Sequence, residues 1–251
     1  MYLESMDTVV TSDLHGQDRL LEKVIDMYPG VRIISNGDEL DGDNPRALLE
    51  VGSEYGILRT VGNHEGVTRA VMLERDSEIK QLYQERWRHR KPNFLQYEYG
   101  TLKSYGVDVK LKNDEAAERL KDKMFELGHI ALLKEAKLYY ETDDYIVVHA
   151  GLTNAPWEDQ KALLDAASVR MALNDYSSIP VQIMDSDYDL SNGHALGATD
   201  KIVISGHSHF LQEPERSIDN GKRIRLASKL AIGQPLYLWQ SWDNQVVEVR
   251  Q

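Results

Sequence analysis

Five short motifs that carry histidine, aspartate or asparagine are spread along the chain, and together they contain five of its eight histidines. Each motif follows a short apolar stretch that is typical of a buried strand. The motifs are Ser12–Gly16, Gly37–Asp41, Gly62–Glu65, Val148–Gly151 and Gly206–His209. A single Asp-x-His would carry little information, because such a pair usually forms a hydrogen bond within a turn. Five motifs in this order bring carboxylate, amide and imidazole groups to one edge of a sheet, and these groups are the ligand set for two hydrolytic metal ions.

The spacing within the motifs indicates how the ions would be held. Alternate side chains of an extended chain share one face, so Asp13 and His15 are expected to contact the same ion, and the last motif repeats this spacing. Asp38 ends the next strand, where a carboxylate can bridge two ions ~3.5–4 Å apart. Asn63 supplies a neutral oxygen, which binds an ion without adding negative charge. The pattern therefore predicts a centre that holds two ions.

The segments between the first motifs predict alternating strands and helices. Thr8–Thr11, Val31–Ser35 and Ile57–Val61 have the pattern of strands, and Gln17–Tyr28 and Pro45–Val51 have the pattern of helices. This β-α-β-α-β order implies parallel strands with right-handed crossovers. Because ligands of such sheets collect beyond the carboxyl ends of the strands, we expect the first three motifs to meet there.

Residues 66–135 are mostly helical in pattern and are interpreted as a cap inserted beside the sheet. Its long helices are predicted at Val67–Trp87 and Glu115–Leu133. The stretch Tyr97–Asp108 between them is expected to be irregular, and His129 is expected on the surface. The one dense basic cluster, Arg86–Lys91, is interpreted as a charged helix end, with a polyanion-binding site as the alternative.

Strand patterns return after the cap. A hairpin is predicted over residues 137–148, with its turn at Glu141–Asp144. A helix is expected from Glu158 to about Leu173, and a further strand at Lys201–Ser205 leads into the last motif. The tail alternates short strands with turns, which predicts a second, antiparallel sheet.

Composition narrows the classes of function. A net charge of −12 disfavours binding to the nucleic-acid backbone. The chain has no cysteine, so any metal must be bound by nitrogen and oxygen ligands. No stretch approaches ~18 consecutive apolar residues, which predicts no membrane-spanning helix. Residues 1–7 lack the basic and apolar regions of a signal peptide, and we expect a cytoplasmic protein.

The ordered set D-x-H-G, G-D-x-x-D, G-N-H-E, H-A-G and G-H-x-H resembles the calcineurin-like metallophosphoesterases. Several motifs are similar to those of the phosphoprotein-phosphatase branch, which includes symmetrical diadenosine tetraphosphatases. The weaker segment Gly100–Gly106 is similar to one in bacterial and phage members. The resemblance implies an α/β fold: a four-layer α/β/β/α sandwich of two mixed sheets with a helical insert, formed as a single domain over residues 1–251.

The same resemblance implies a role for each motif residue. Two divalent or mixed-valence transition-metal ions would be bound, with manganese expected first and iron, zinc, cobalt or nickel as alternatives. The first ion would be held by Asp13, His15 and His209, the second by Asn63, His149 and His207, with Asp38 between them. A hydroxide bridging the ions would attack phosphorus. His64 would protonate the leaving oxygen, and Asp41 would orient His64.

The resemblance is incomplete at two positions that concern the substrate. The phosphatase branch carries phosphate-binding arginines where this chain has Gly42 and Val61. Arg46 and Arg69 are the candidate replacements, whereas Arg59 is expected inside a strand. The substrate is left open among a phosphorylated small molecule, a dinucleoside polyphosphate and a phosphoprotein. The alternatives are a phosphodiesterase or nuclease of the same type, or a catalytically silent scaffold stabilised by metal.

Overall fold

A computed structural model describes residues 6–86, 98–184, 198–207, 215–216, 222–226 and 235–250. The predicted ligand His209 lies outside these residues, and so does the basic cluster Arg86–Lys91 apart from the backbone of its first residue.

The described part of the chain alternates strands and helices. In chain order the elements are β1 (Thr8–Thr11), α1 (Asp18–Met27), β2 (Arg32–Asn36), α2 (Pro45–Glu54), β3 (Leu58–Thr60), α3 (Asn63–Leu73), α4 (Ser77–Arg86), α5 (Tyr99–Ser104), α6 (Asn113–Glu126), α7 (His129–Glu135), β4 (Tyr139–Glu141), β5 (Tyr145–Val148), α8 (Trp157–Ala172), α9 (Val181–Met184), β6 (Ile202–Ser205), β7 (Glu215–Arg216), β8 (Arg223–Arg225), β9 (Leu236–Gln240) and β10 (Gln245–Val249).

Local sequence explains where the first helices form. Leu20, Leu21 and Val24 recur at helical spacing, and all three are buried on one side of α1. In α2, Pro45 occupies the start of the helix, where its missing N–H costs nothing. Asn44 precedes it, and the Asn44 side chain accepts a hydrogen bond from the backbone of Ala47, as a helix cap does.

Two mixed sheets form the centre of the fold. The first has the order β10-β9-β1-β2-β3, and the second has the order β4-β5-β6-β8-β7. β1, β2 and β3 are parallel, as the alternation of strands and helices predicted. β5 and β6 are also parallel, and β4 and β5 form the predicted hairpin. The predicted α/β class with two mixed sheets is confirmed.

Alternating side chains of the strands build two different cores. On β1, Val10 packs between the two sheets, whereas its neighbour Val9 packs against α1 and α2. On β5, Val147 also lies between the sheets, whereas Ile146 packs against the helices that follow β3. The order of layers is therefore helices, sheet, sheet and helices. Buried residues of α3, α6 and α8 belong to the same core as Ile146 of β5.

The helices between residues 63 and 135 differ in detail from the prediction. The long helix expected at Val67–Trp87 is two helices, because Glu74 has an extended backbone and the Asp76 side chain accepts hydrogen bonds that start α4. The second long helix is divided at Gly128, whose φ of +75° ends α6. The stretch expected to be irregular contains the short helix α5.

The tail corrects the expectation of a separate antiparallel sheet. The β9–β10 hairpin extends the first sheet, because β9 pairs antiparallel with β1, and β8 pairs parallel with β6 in the second sheet. β9 also places Trp239 and Tyr237 in the core between the sheets. Local pattern identifies a hairpin but does not indicate which sheet edge it joins, because that choice depends on distant strands.

The position of His129 also differs from the prediction. This residue was expected on the surface, but it is 3 % exposed and forms a buried hydrogen bond with the Tyr105 hydroxyl. A buried imidazole needs such a partner, and here the partner comes from the glycine-flanked segment before α6. None of the described helices is both long enough and apolar enough to cross a membrane.

Candidate metal centre

The loops after β1 and β2 continue the alignment of the parallel strands. The Asp13 amide donates to the carbonyl of Gly37 (3.1 Å), and the His15 amide donates to that of Asp38 (2.9 Å). Asp13, His15 and Asp38 have positive φ values of 55°, 41° and 54°. The extended alternation predicted for Asp13 and His15 is therefore wrong: the backbone turns sharply at the strand end. Residues other than glycine that have a left-handed backbone conformation cluster at functional sites, where surrounding contacts hold the backbone in that conformation.

Two glycines let the loops approach closely enough to form the site. A Cβ atom on Gly62 would lie 2.2 Å from an Asp38 carboxylate oxygen, although its φ of −94° suits any residue. A Cβ atom on Gly206 would lie 2.2 Å from an Asp13 carboxylate oxygen. Larger residues at these positions would displace the carboxylates that the motifs supply.

Four of the predicted ligands converge. His149 Nε2 lies 3.3 Å from Asp38 Oδ2 and 3.1 Å from Asn63 Oδ1. His207 Nδ1 lies 2.6 Å from the same Asn63 oxygen and 3.2 Å from His149 Nε2. These four residues are the set that the family resemblance assigned to the second ion together with the bridging aspartate.

Two features of this group suit a transition metal: the distances between the ligand atoms, and the hydrogen bond of the other ring nitrogen of His149. Ligands about 2.1 Å from one ion lie about 3 Å apart along an octahedral edge, which is the separation seen here. His149 Nδ1 lies 2.8 Å from the carbonyl oxygen of Asn36, so this nitrogen carries the proton and Nε2 is the ligand atom. Because the set combines carboxylate, amide and imidazole, it fits manganese, iron or zinc better than calcium or magnesium.

A second group of candidate ligand atoms contains His15, Asp38 and His64. His15 Nδ1 lies 3.1 Å from the Leu40 carbonyl oxygen, which directs Nε2 in the same way as at His149. Asp38 belongs to both groups, so one fully buried carboxylate lies where two ion sites would meet. A shared carboxylate of this kind is typical of two-metal centres.

Asp13 lies beside these groups without belonging to either. It is fully buried, and both of its carboxylate oxygens lie 3.0 Å from the backbone amide of His207, which donates to them. It therefore joins the end of β1 to the end of β6. Its predicted partner at the first ion, His209, is outside the described residues.

Glu65 holds the loop that carries Asp38. Its carboxylate accepts hydrogen bonds from the backbone amides of Asp38, Glu39, Leu40 and Gly62, at 2.8 to 3.0 Å. No role for Glu65 is predicted from the motifs. The available signal was its position three residues after the glycine that precedes α3, where glutamate commonly caps a helix start.

The contact partner of His64 was also missed. His64 Nδ1 lies 3.0 Å from Glu98 Oε1, whereas Asp41, the predicted orienting residue, accepts a hydrogen bond from the Gly100 amide (3.1 Å). His64 also donates its backbone amide to Asp38 Oδ1 (3.0 Å). Glu98 is far from the motifs in sequence and follows no apolar strand pattern, so no local signal identified it.

The charges in the centre depend on one another. Burial opposes ionisation of Asp38, but the imidazoles of His149 and His64 hold its pKa well below the usual range. Burial also opposes the charged form of each histidine, yet Asp38 raises the pKa of His149 to about 10, and Asp38 with Glu98 raises that of His64 to about 9. Burial and the charge of Asp38 raise the pKa of Glu65 to about 7.

The arginine candidates have very different surroundings. Arg59 lies in β3, as predicted, and its guanidinium donates to the buried carboxylate of Glu39 (2.8 Å). Arg69 is 2 % exposed, lies over the Tyr176 ring and donates to the Tyr176 hydroxyl (3.1 Å). Arg46 is exposed on α2 and pairs with a glutamate one turn away.

Solved structures match this fold along the whole chain, although no family model and no curated protein matches the sequence. The architecture is that of the calcineurin-like metallophosphoesterases. A provisionally assigned diadenosine tetraphosphatase is 12 % identical with a TM-score of 0.60, and the match covers 100 % of this chain and 96 % of that one.

Two further structures support the same fold. A cold-active protein-tyrosine phosphatase of a psychrophilic Shewanella species is 15 % identical with a TM-score of 0.54, covering 98 % of this chain and 81 % of that one. A metallophosphoesterase from Sphaerobacter thermophilus is 18 % identical with a TM-score of 0.50, covering 98 % and 88 %. Because the sequence identities are this low, the structural matches establish the fold only, and the activity must be argued from the site.

Proposed function

We propose that this protein is a metal-dependent phosphoesterase that hydrolyses phosphate esters or pyrophosphate links. The observation that carries the proposal is the convergence of Asp38, Asn63, His149 and His207 at the carboxyl ends of parallel strands. The fold adds support, because the solved structures that match it include phosphatases and a metallophosphoesterase.

In this proposal seven residues bind two transition-metal ions, with manganese expected. The proposed ligands are Asp13, His15, Asp38, Asn63, His149, His207 and His209. The bound ions would supply an activated water molecule and would neutralise charge on the phosphoryl oxygens. The residues themselves exclude bulk water, because Asp13, Asp38 and His149 are fully buried.

His64 is the proposed general acid. It lies in the first turn of α3, next to the proposed ligand Asn63, and its side chain is held against Glu98. A histidine fixed in this way can donate a proton to the leaving oxygen as the ester bond breaks. Its ring lies perpendicular to that of His15, with 5.1 Å between their centroids, which places it at the edge of the ligand groups.

The proposed substrate class rests on a structural match and on two candidate arginines. The structural match to a provisionally assigned diadenosine tetraphosphatase favours a dinucleoside polyphosphate among phosphorylated small molecules and phosphoproteins. Arg46 is exposed, so it is the preferred candidate for a phosphate contact. Arg69 would first have to leave Tyr176, which makes it the weaker candidate. A cytoplasmic location remains part of the proposal.

The test is hydrolysis by manganese-loaded protein of an aryl monoester, an aryl diester, diadenosine tetraphosphate and a phosphopeptide. We expect activity on at least one substrate and a loss of about a thousand-fold or more in Asp38→Asn, because bound metal supplies several kcal/mol of transition-state stabilisation. Glu141→Gln is the matched control, since it makes the same change at a buried carboxylate of the β4–β5 hairpin.

Each outcome separates the candidates. Preferential cleavage of the diester would favour the phosphodiesterase or nuclease alternative. Full metal occupancy without hydrolysis of any substrate would support the metal-stabilised scaffold and refute the enzyme. An equal loss of activity in Asp38→Asn and Glu141→Gln would show that removing either buried carboxylate has the same effect, which would contradict a catalytic role for the proposed centre.

A further inference from the structure

We propose that Glu98 is the positioning residue of His64, so that the helical segment beginning at residue 98 completes the active site. This inference rests on the proposed phosphoesterase function. Glu98 Oε1 lies 3.0 Å from His64 Nδ1, and Glu98 is fully buried. A carboxylate that holds one imidazole nitrogen fixes the ring, and it leaves the other nitrogen to serve the reaction.

Glu98 is itself held in place. Its second carboxylate oxygen accepts a hydrogen bond from the Thr101 hydroxyl (2.7 Å), one turn along α5. The same hydroxyl accepts a hydrogen bond from the backbone amide of Asp41 (2.7 Å). Both carboxylate oxygens are therefore in hydrogen-bonding contact, and the side chain has one well-defined orientation towards His64.

Asp41 has a different task in this arrangement. Its carboxylate accepts a hydrogen bond from the Gly100 amide, so it connects the loop after β2 to α5. In the sequence analysis Asp41 was the orienting partner of His64. The structure instead connects the two through Thr101 and Glu98, so Asp41 supports the residue that supports the histidine.

Two glycines let the loop after β2 approach its neighbours closely. A Cβ atom on Gly100 would lie 1.9 Å from the carbonyl oxygen of Gly42, and a Cβ atom on Gly42 would lie 1.9 Å from the carbonyl oxygen of His15. Gly42 also has a φ of +84°, a backbone conformation that L side chains rarely adopt. The close approach of the loop after β2 to α5 and to the loop after β1 therefore depends on the two glycines.

A leaving-group comparison tests the role of Glu98. The substrates are the phenyl and 4-nitrophenyl esters of the class that the protein cleaves. Phenol leaves poorly and needs a proton donor, whereas 4-nitrophenol leaves well without one. In Glu98→Ala we expect kcat/KM for the phenyl ester to fall by about a hundred-fold, the lower range of general acid catalysis, and that for the 4-nitrophenyl ester to fall by less than about ten-fold.

A double-variant cycle shows whether Glu98 acts through His64. Adding Glu98→Ala to His64→Ala should cause no further leaving-group effect, because a positioning residue has no role without the residue it positions. Glu98→Gln keeps the oxygen that faces His64 Nδ1, and it should recover part of the phenyl ester activity. Equal losses on both esters in Glu98→Ala, or additive losses in the double variant, would overturn the inference.

A readout independent of activity separates this inference from the proposed function. The ¹⁵N resonances of the His64 ring should shift in Glu98→Gln and change much less in Asp41→Asn. If the wild type cleaves nothing, the phosphoesterase proposal fails while this measurement still decides whether Glu98 holds His64. The opposite pattern, a large shift only in Asp41→Asn, would assign the positioning role to Asp41.

Discussion

Two buried carboxylates of this protein, Glu141 and Asp38, have different kinds of partner. Glu141 at the end of β4 accepts hydrogen bonds from Trp157, Lys161 and Lys201, each at 2.8 Å. Asp38 lies among imidazoles, with His149 Nε2 3.3 Å from its carboxylate. The Glu141 cluster contains two lysines, whereas the described partners of Asp38 include titratable imidazoles.

We interpret the Glu141 cluster as structural and the centre around Asp38 as the proposed metal site. Glu141 connects the β4–β5 hairpin to α8 and to the start of β6: Trp157 and Lys201 donate to one of its oxygens, and Lys161 forms an ion pair with the other. Burial disfavours its charge, but Lys161, Lys201 and Trp157 lower its pKa to about 2. In the proposed function, metal ions would add positive charge to the centre around Asp38.

The largest expected effect is stabilisation by metal. At about a thousand times its dissociation constant, an ion that binds only the folded protein adds about 4 kcal/mol to the free energy of unfolding. For a chain of this size, this is about 10 °C in melting temperature. Manganese added to metal-free protein should produce the shift in the wild type and in Glu141→Gln, but not in Asp38→Asn. Calorimetry measures it, and identical shifts in both variants would remove the distinction between the clusters.

The next effect distinguishes two glycines at the start of α3. Gly62→Ala should weaken metal binding by about 10- to 100-fold, because the added Cβ displaces the Asp38 carboxylate. Gly66→Ala is the matched control, since the nearest atoms to its Cβ would be those of Ile179 at 3.4 Å and Val61 at 3.9 Å, which are ordinary packing distances. It should leave metal affinity unchanged and add about 0.5–1 kcal/mol of helix stability. Isothermal titration with manganese checks both, and equal weakening would contradict the packing argument.

The Glu141 cluster should respond to pH and not to metal. Glu141→Gln is expected to lower the free energy of unfolding by about 2 kcal/mol at pH 7, because it removes charge-assisted hydrogen bonds. The pKa of Glu141 falls from 4.5 to about 2 on folding, so its stabilisation is complete above pH 4.5 and is lost as the pH falls towards 2. Urea denaturation of both proteins between pH 7 and pH 3 should show the difference shrinking below about pH 4.5. A pH-independent difference would contradict this assignment.

The smallest effect belongs to an exposed ion pair. Arg46 and Glu50 pair across one turn of α2, with nearly half of each side chain exposed. Arg46→Ala should change the free energy of unfolding by less than about 0.5 kcal/mol. If Arg46 contacts substrate phosphate, the same variant raises KM with little change in kcat. Unchanged steady-state kinetics would exclude Arg46 as a phosphate contact.

Several features of the fold followed from local pattern. Apolar runs that end in Asp13, Asp38 and Gly62–Asn63 predicted three parallel strands, and all three are present. Helix ends were harder, because the division of the first cap helix depends on side chains such as Asp76 that bond to the backbone within one turn. Such short polar contacts compete with continued helix, and hydrophobic periodicity does not detect them.

The candidate site could be predicted as a set of residues but not as an arrangement. Asp38, Asn63, His149 and His207 do converge, although the left-handed backbone at the strand ends replaces the extended geometry that was expected. Glu65 and Glu98 were missed, because the groups they hold lie in other elements. Their importance depends on contacts up to 34 residues away, which no local pattern records.

The sequence by itself determined the chemical groups at the strand ends and the order in which the strands deliver them. Both depend on residue type and on periodicity within a few residues. Only the tertiary structure decided that the β9–β10 hairpin joins β1, that the backbone is left-handed at the strand ends and that Glu98 faces His64. These features arise from packing between distant segments, where burial and close backbone approach select one arrangement among many that the local pattern allows.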